Sequence, residues 1–305
     1  WEYEQAGLVP FLSGQACRHY ELYEQDFDLA ASWGHNAHRF SLEWSRIQPG
    51  EEEWNPEAIE HYRDVIRALK SRGLEPVVTL HHFTNPSWFL RRGGWIRRDS
   101  ARSFGRYVEY VVEHLGKDVK YWVTINEPTV YAKYGYVTGG WPPCLKGSLV
   151  KAVLVLVNLA RAHKSAYRIL HRGTEGGMVG IAHSAPFVEP CDPTSKLDRT
   201  AAWVRDFILN RSFFCLTARL SSTGLRRQDH LDFLGINYYF RVVARSQEIP
   251  EEKNEQRTVF VSDDDYNYYR ENLIEFKRKF NCRIYSYYLI TNHVHLIVDP
   301  GDEPE

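Results

Sequence analysis

The alternation of short apolar strands with helical segments is the feature that most restricts the fold of this chain. Five segments have the apolar, β-branched composition of buried strands, and helical patterns separate them. These segments are residues 36–42, 75–80, 120–125, 178–182 and 231–238. Strands that alternate with helices form βα units and pair in parallel. The pattern therefore predicts an α/β protein built on a parallel sheet.

The intervening helices have recognisable ends and faces. Asn55 followed by Pro56 is a typical N-cap with proline in the first turn, and the helix it begins should stop near Gly73. Residues 100–115 place apolar side chains on one face and are followed by Gly116. Residues 149–170 are almost continuously apolar at first, so we expect this long helix to pack against the sheet.

Composition is useful mainly for what it excludes. The formal net charge of -1 gives no reason to expect nucleic acid as a partner. No apolar run approaches the roughly 18 residues of a membrane span, and the first residues lack a signal-peptide pattern, so we expect no membrane contact and a cytoplasmic location. The scattered cysteines form no C-x-x-C pair and should be free thiols.

The residues Thr124 to Pro128, TINEP, follow an apolar strand and carry the strongest chemical signal. In a βα barrel the carboxyl ends of the strands face the active site. There Glu127 can protonate a glycosidic oxygen and Asn126 can hold a sugar hydroxyl. The alternative is structural, because an Asn-Glu-Pro sequence also suits the start of a helix.

Other strand ends carry residues of the same chemical type, and the set resembles glycoside hydrolase family 1. The segments are residues 38–46 (HRFSLEWSR), 79–89 (TLHHFTNPSWF) and 231–239 (LDFLGINYY), in addition to the TINEP segment. The resemblance implies an incomplete TIM-type (β/α)8 barrel over residues 1–245 with about five recognisable strands. It also implies a retaining β-glucosidase or β-glycosidase that acts on a β-glycoside sugar without a cofactor.

The same resemblance implies a role for each matching residue. Glu127 corresponds to the catalytic acid/base, Arg39 to an arginine that reaches the active site, and His82 to a histidine that binds the sugar. Asn237 would line the pocket, and Tyr239 would orient the nucleophile. Taken singly, His82 also fits a satisfied core histidine, and Tyr239 fits an ordinary strand aromatic.

The resemblance ends before the second catalytic carboxylate. A retaining glycosidase needs two carboxylates roughly 5 to 5.5 Å apart. The family places its nucleophile in an Ile-Thr-Glu-Asn-Gly type motif on the seventh strand, and no such string occurs in this sequence. We therefore expect weak or no hydrolysis. We also expect an open barrel with an exposed edge, which the carboxyl-terminal segment covers in part and which favours weak self-association.

The last part of the sequence has a different character. Residues 246–257 are polar and resemble a linker, and residues 258–305 suggest a small α+β unit with a helix and two strands. His293 and His295 lie two apart on a predicted strand and would share one face, which suits a divalent metal. This unit resembles the amino-terminal part of single-strand DNA transposases that use a tyrosine nucleophile, although the tyrosine helix of those proteins has no match here.

Three interpretations follow from these patterns. The first is a β-glycosidase domain that keeps its acid/base and lacks its nucleophile. The second is a non-catalytic sugar-binding remnant of a gene disrupted by a mobile element. The third is a metal-dependent protein that binds single-stranded DNA through residues 258–305. The missing nucleophile motif separates the first two interpretations, and the missing tyrosine helix disfavours the third.

Overall fold

The computed structural model describes residues 2–9, 12–218, 231–239 and 241–246, and it describes residues 219, 283–290 and 293–299 as backbone only. The predicted linker, apart from its first residue, and the helix expected after it lie outside the described residues.

The described elements alternate along the chain much as the sequence predicts. The helices are α1 (Glu2–Gln5), α2 (His19–Ser32), α3 (Trp44–Ile47), α4 (Pro56–Ser71), α5 (Ser87–Arg91), α6 (Ser100–Leu115), α7 (Pro128–Ala132), α8 (Leu149–Gly173), α9 (Lys196–Asp206) and α10 (Ser212–Arg219). The strands are β1 (Ala37–Ser41), β2 (Glu75–His81), β3 (Tyr121–Asn126), β4 (Met178–Ser184), β5 (Phe187–Pro190), β6 (Phe233–Tyr238), β7 (Arg241–Ala244), β8 (Arg283–Ile290) and β9 (His293–Asp299). A short 3-10 helix spans Gly94–Ile96, and π-helical turns span Lys133–Val137 and Phe207–Arg211.

The chain divides into two compact units. The first contains Trp1–Ile181 and Leu216–Leu231, and the second contains Ala182–Cys215 and Asp232–Glu305. Strand β4 has residues in both. The domain boundary expected near residue 245 stays a prediction.

The sheet of the first unit is parallel, as expected. β1 pairs with β2 from Ala37 opposite Glu75 to Ser41 opposite Thr79. β2 pairs with β3, with His81 opposite Ile125. The start of β4 follows, where the Met178 amide donates to the Lys120 carbonyl at 2.7 Å. Because the strands are parallel, their carboxyl ends lie at one edge of the sheet.

The second unit contains the rest of the sheet and a separate pair of strands. β6 follows β4 in the strand order, and the short strands β5 and β7 pair in parallel as a separate two-stranded sheet. The order β1-β2-β3-β4-β6 therefore confirms the five predicted parallel strands of an incomplete (β/α)8 barrel.

The other side of β6 is occupied by a hairpin. β9 pairs antiparallel with β6 from Leu234 opposite Val298 to Tyr238 opposite Val294, and β8 pairs antiparallel with β9. The two carboxyl-terminal strands predicted from the sequence are thus confirmed. Their position beside β6 agrees with the expectation that this segment covers an edge of the open sheet.

The core of the first unit forms from the predicted helix faces. The Asn55 side chain accepts a hydrogen bond from the Ala58 amide at 3.1 Å, which confirms the N-cap of α4. The apolar stripe predicted for α6 is buried, and α4 buries one apolar face as well. Trp44 lies at the centre of this core, with the rings of Tyr107 and Phe89 about 5 Å away, at 5.2 and 4.9 Å. These aromatic residues therefore belong to the core and not to a sugar-binding surface.

Helix α8 packs against β3 with only part of its apolar surface. Its later turns are buried through Val155, Leu159 and Ala162, but four apolar residues of its first two turns are 44 to 76% exposed. These residues are Leu149, Val150, Val153 and Leu154. The helix packs through one stripe at helical spacing, so the remaining apolar residues of a continuous run point away from it. The expectation that this helix packs against the sheet is confirmed for its later turns, whereas its first two turns leave apolar side chains exposed.

The described helices give one further negative result. None of them combines the length and the apolar composition that crossing a bilayer requires. This finding agrees with the absence of a long apolar run in the sequence.

Candidate active site

Arg39 connects the carboxyl-terminal parts of the three strands of the first unit. Its Nε donates to the Thr79 hydroxyl on β2 at 2.9 Å, and its NH2 group donates to the Asn126 carboxamide oxygen at the end of β3 at 2.5 Å. Because a guanidinium only donates, this contact fixes the carboxamide oxygen of Asn126 as an acceptor. The structure thus joins two of the residues predicted to bind sugar.

Glu127 follows Asn126 directly and has an unusual backbone conformation. Its φ of 44° and ψ of 61° are left-handed, and the residue is only 5% exposed. A side chain in this conformation costs about 1 to 2 kcal/mol, and such strain is concentrated at functional sites. Pro128 then begins α7, and the Tyr131 amide donates to the Glu127 carbonyl at 3.0 Å.

The structural alternative for this segment was helix capping. Glu127 occupies the N-cap position of α7 but makes no capping hydrogen bond with its side chain. The Asn126 oxygen accepts instead from Arg39. Since the carboxylate does not cap the helix, its burial at the strand end favours the chemical interpretation.

The two consecutive histidines after β2 have opposite environments. His81 is 1% exposed, and desolvation by burial lowers its pKa from 6.5 to about 4, although a hydrogen bond with Asn85 partly opposes the shift. His82 is exposed, and its Nδ1 lies 2.8 Å from the hydroxyl of Ser41 at the end of β1. The core-histidine alternative stated for His82 does not fit its exposed ring, whereas its neighbour His81 is a core histidine.

The residues predicted on β6 belong to the second unit. Asn237 is 2% exposed and its carbonyl accepts from the Ala185 amide at 3.0 Å. Tyr239 follows the end of β6 and is half-buried. Both residues lie at the carboxyl-terminal end of their strand, as predicted. Their approach to Glu127 stays a prediction.

The predicted metal ligands lie in the second unit as well. His293 and His295 are two residues apart on β9, so the strand places them on the same face. Their side chains lie outside the described residues, and the metal stays a prediction. Among the residues that are fully described, no group of three or more His, Cys, Asp or Glu is placed to hold a metal ion.

Sequence reasoning missed one polar group near the strand ends. Asn85 follows His82 by three residues, and its side chain contacts four different residues. The signal in the sequence was its place within the 79–89 segment that resembles the family motif. Its contacts to Trp95 and Tyr131, 10 and 46 residues away, could not be identified without the structure.

A parallel βα sheet with an arginine on β1 that reaches an asparagine at the end of β3, next to a buried glutamate, is the arrangement of a barrel glycosidase. Comparison with known proteins gives the family. The chain belongs to Glycosyl hydrolase family 1, whose model matches residues 12–224.

Two relatives show the level of sequence similarity. The chain is 33% identical over 262 residues to a coniferin beta-glucosidase of Pinus contorta, covering 74% of this chain and 51% of the relative. It is 30% identical over 258 residues to a 6-phospho-beta-galactosidase of Clostridium acetobutylicum, covering 75% and 54%. The chain thus spans about half the length of the curated relatives it matches.

Solved structures show the same fold. A beta-glycosidase from Pyrococcus horikoshii superposes with a TM-score of 0.76 at 36% identity, covering 91% of this chain and 68% of that one. A beta-glucosidase from Thermotoga maritima in complex with deoxynojirimycin gives a TM-score of 0.71 at 25% identity, covering 85% and 64%.

Proposed function

We propose that this chain forms the acid/base and sugar-binding half of a retaining β-glycosidase site. The observation that carries the proposal is the hydrogen bond from Arg39 to Asn126, next to a buried glutamate in a strained conformation. In this proposal Glu127 protonates the glycosidic oxygen as the bond to the anomeric carbon breaks, and it later deprotonates the attacking water.

The other predicted residues serve the sugar. Asn126, oriented by Arg39, donates from its amide nitrogen to a sugar hydroxyl, and the exposed ring of His82 binds a second hydroxyl. Asn237, on β6, and Tyr239, directly after it, keep the sugar-binding roles that the family resemblance predicts for them. Hydrogen-bonded polar groups of this kind distinguish hydroxylated substrates because removing a hydroxyl leaves a partner unpaired.

The proposed substrate class is a β-glucoside or β-galactoside. Relatives with names such as coniferin beta-glucosidase and 1,4-beta-D-glucan glucohydrolase support this class. The 6-phospho-beta-galactosidase relatives leave the choice between neutral and phosphorylated sugars to experiment.

We further propose that the chain as given hydrolyses such substrates weakly or not at all. The strand beside β6 is the antiparallel β9, whose only carboxylate residue, Asp299, comes at its end. Val298 is opposite Leu234 and Val294 is opposite Tyr238, so Asp299 lies towards the amino-terminal end of β6. At a rise of roughly 3.3 Å per residue, Asp299 is on the order of 16 Å from the carboxyl-terminal end of β6, where the active site is expected. A nucleophile must lie roughly 5 to 5.5 Å from the acid/base carboxylate, so Asp299 is too far away.

Binding of a sugar mimic tests the proposal without requiring turnover. We expect the protein to bind deoxynojirimycin in a calorimetric titration, and Arg39→Met to weaken the affinity at least tenfold because Asn126 loses the contact that orients it. The matched control is Arg67→Met, since Arg67 is an exposed arginine paired with Asp64 one turn away on α4. No binding by the unmodified protein, or an equal loss in both variants, would refute the proposed site.

A further inference from the structure

The Asn85 side chain is the meeting point of four hydrogen bonds in the first unit. Trp95 Nε1 donates to the Asn85 oxygen at 2.8 Å, and His81 Nε2 lies 3.1 Å from the same oxygen. The Asn85 nitrogen donates to the Phe83 carbonyl at 3.0 Å and to the Tyr131 hydroxyl at 3.1 Å. Each hydrogen-bonding position of the carboxamide is therefore occupied.

Two of the partners fix the orientation of this amide. An indole N–H only donates, so the Asn85 atom facing Trp95 must be the oxygen. His81 must then carry its proton on Nε2 in order to donate to that oxygen. Burial lowers the pKa of His81 to about 4, so the imidazole stays neutral and this arrangement persists at neutral pH.

The other two partners lead to the proposed active site. The Phe83 carbonyl belongs to the residue directly after His82, and Phe83 has a left-handed φ of 73°. Tyr131 is the residue whose amide donates to the Glu127 carbonyl, and Glu127 has a left-handed φ of 44°. One hydrogen bond thus joins Asn85 to Phe83, and two hydrogen bonds in succession join it through Tyr131 to Glu127. Strained backbone persists only where surrounding contacts hold it.

We propose that Asn85 is a positioning residue whose carboxamide sets His82 and Glu127 relative to each other. It acts through the Phe83 carbonyl on the loop after β2, and through the Tyr131 hydroxyl on the first turn of α7. The expected effect of Asn85 on sugar binding rests on the proposed function. The hydrogen bonds from Asn85 to Phe83 and Tyr131 exist without any ligand.

Asn158 offers a matched control. It is a buried asparagine on α8 whose nitrogen, with two hydrogens to donate, lies 2.9, 3.3 and 3.0 Å from the carbonyls of Trp95, Ile96 and Arg97. Its oxygen accepts from Arg161 at 2.9 Å. Asn158→Leu therefore removes a comparable set of buried hydrogen bonds, also next to Trp95. It leaves the contacts of Asn85 with Phe83 and Tyr131 unchanged.

Hydrogen exchange and deoxynojirimycin binding form the two arms of the test. We expect Asn85→Leu to raise amide exchange at least tenfold in residues 82–86 and 128–132, and to weaken deoxynojirimycin binding at least tenfold. Asn158→Leu should leave amide exchange in these two segments and the affinity for deoxynojirimycin close to the values of the unmodified protein. Tyr131→Phe, which removes the hydroxyl and keeps the ring, should give a smaller loss of affinity, and its effect should be smaller in the Asn85→Leu background than in the unmodified protein.

The outcomes separate the inference from the proposed function. If the unmodified protein binds no deoxynojirimycin, the proposed function fails, and the exchange arm alone decides the role of Asn85. If exchange in both segments is unchanged in Asn85→Leu, or rises equally in Asn158→Leu, the positioning role is refuted. If Asn85→Leu does not fold, exchange and affinity in Tyr131→Phe decide, and values equal to those of the unmodified protein overturn the inference.

Discussion

Acid should destabilise the first unit through the buried ring of His81. His81 is 1% exposed, and its pKa falls from 6.5 to about 4 because burial penalises the charged ring. A folded pKa below the unfolded value adds stability that is present above the unfolded pKa and is lost as pH falls from there towards the folded value. Between pH 7 and pH 5 the unfolded ring becomes protonated while the folded ring stays neutral.

The size of this effect follows from the shift. Each pKa unit corresponds to about 1.4 kcal/mol, and integrating between the two pH values gives a loss of about 2 kcal/mol from His81.

Urea unfolding followed by tryptophan fluorescence at pH 7 and pH 5 measures this change in the free energy of unfolding. In His81→Gln, which keeps a donor and cannot titrate, the loss between the two pH values should be smaller by about 2 kcal/mol. His114→Gln, at a half-buried ring on α6, serves as the control. An unchanged pH dependence in His81→Gln would refute this reasoning.

Two further predictions concern stability and association. Asn55→Ala should lower the free energy of unfolding by about 1 kcal/mol because the Ala58 amide loses its cap, and Asn55→Ser should restore most of it in urea unfolding; equal stability of Asn55→Ala and the unmodified protein would contradict the capping role. The exposed apolar residues of α8 should support weak self-association, so Val150→Glu combined with Val153→Glu should lower the average mass in sedimentation at high protein concentration. A strict monomer before substitution would refute that prediction.

Local patterns were sufficient to predict most of the fold. The Asn55 cap, the stripes of α4 and α6 and the parallel strands follow from propensity and periodicity, which depend on residues close in sequence. Parallel pairing then brings the strand ends to one edge, which explains why Arg39 and Asn126 could be expected together. The first turns of α8 could not be predicted in the same way, because a continuous apolar run does not show which side will be covered.

The details of the candidate site depend on distant contacts. The link from Asn85 to Tyr131 joins residues 46 apart, and the left-handed backbone of Glu127 has no sequence signal beyond the proline after it. The antiparallel pairing of β9 with β6 also required the structure, because a predicted hairpin does not specify the strand it joins. Contacts of this kind form only after the sheet has brought its strands together.

Chemical rescue tests the central claim most directly. Azide can attack the anomeric carbon of an aryl β-glucoside in place of a missing carboxylate, so that a C–N bond forms, the C–O bond breaks and the phenol leaves with a proton from Glu127. We expect turnover of a phenyl glucoside to be undetectable without azide, to appear with azide as the α-glucosyl azide, and to be lost in Glu127→Gln. A dinitrophenyl glucoside, whose leaving group needs no proton, should retain rescue in that variant. Rapid hydrolysis without any added anion, abolished by Glu127→Gln, would show that the chain contains a nucleophile and would contradict the account.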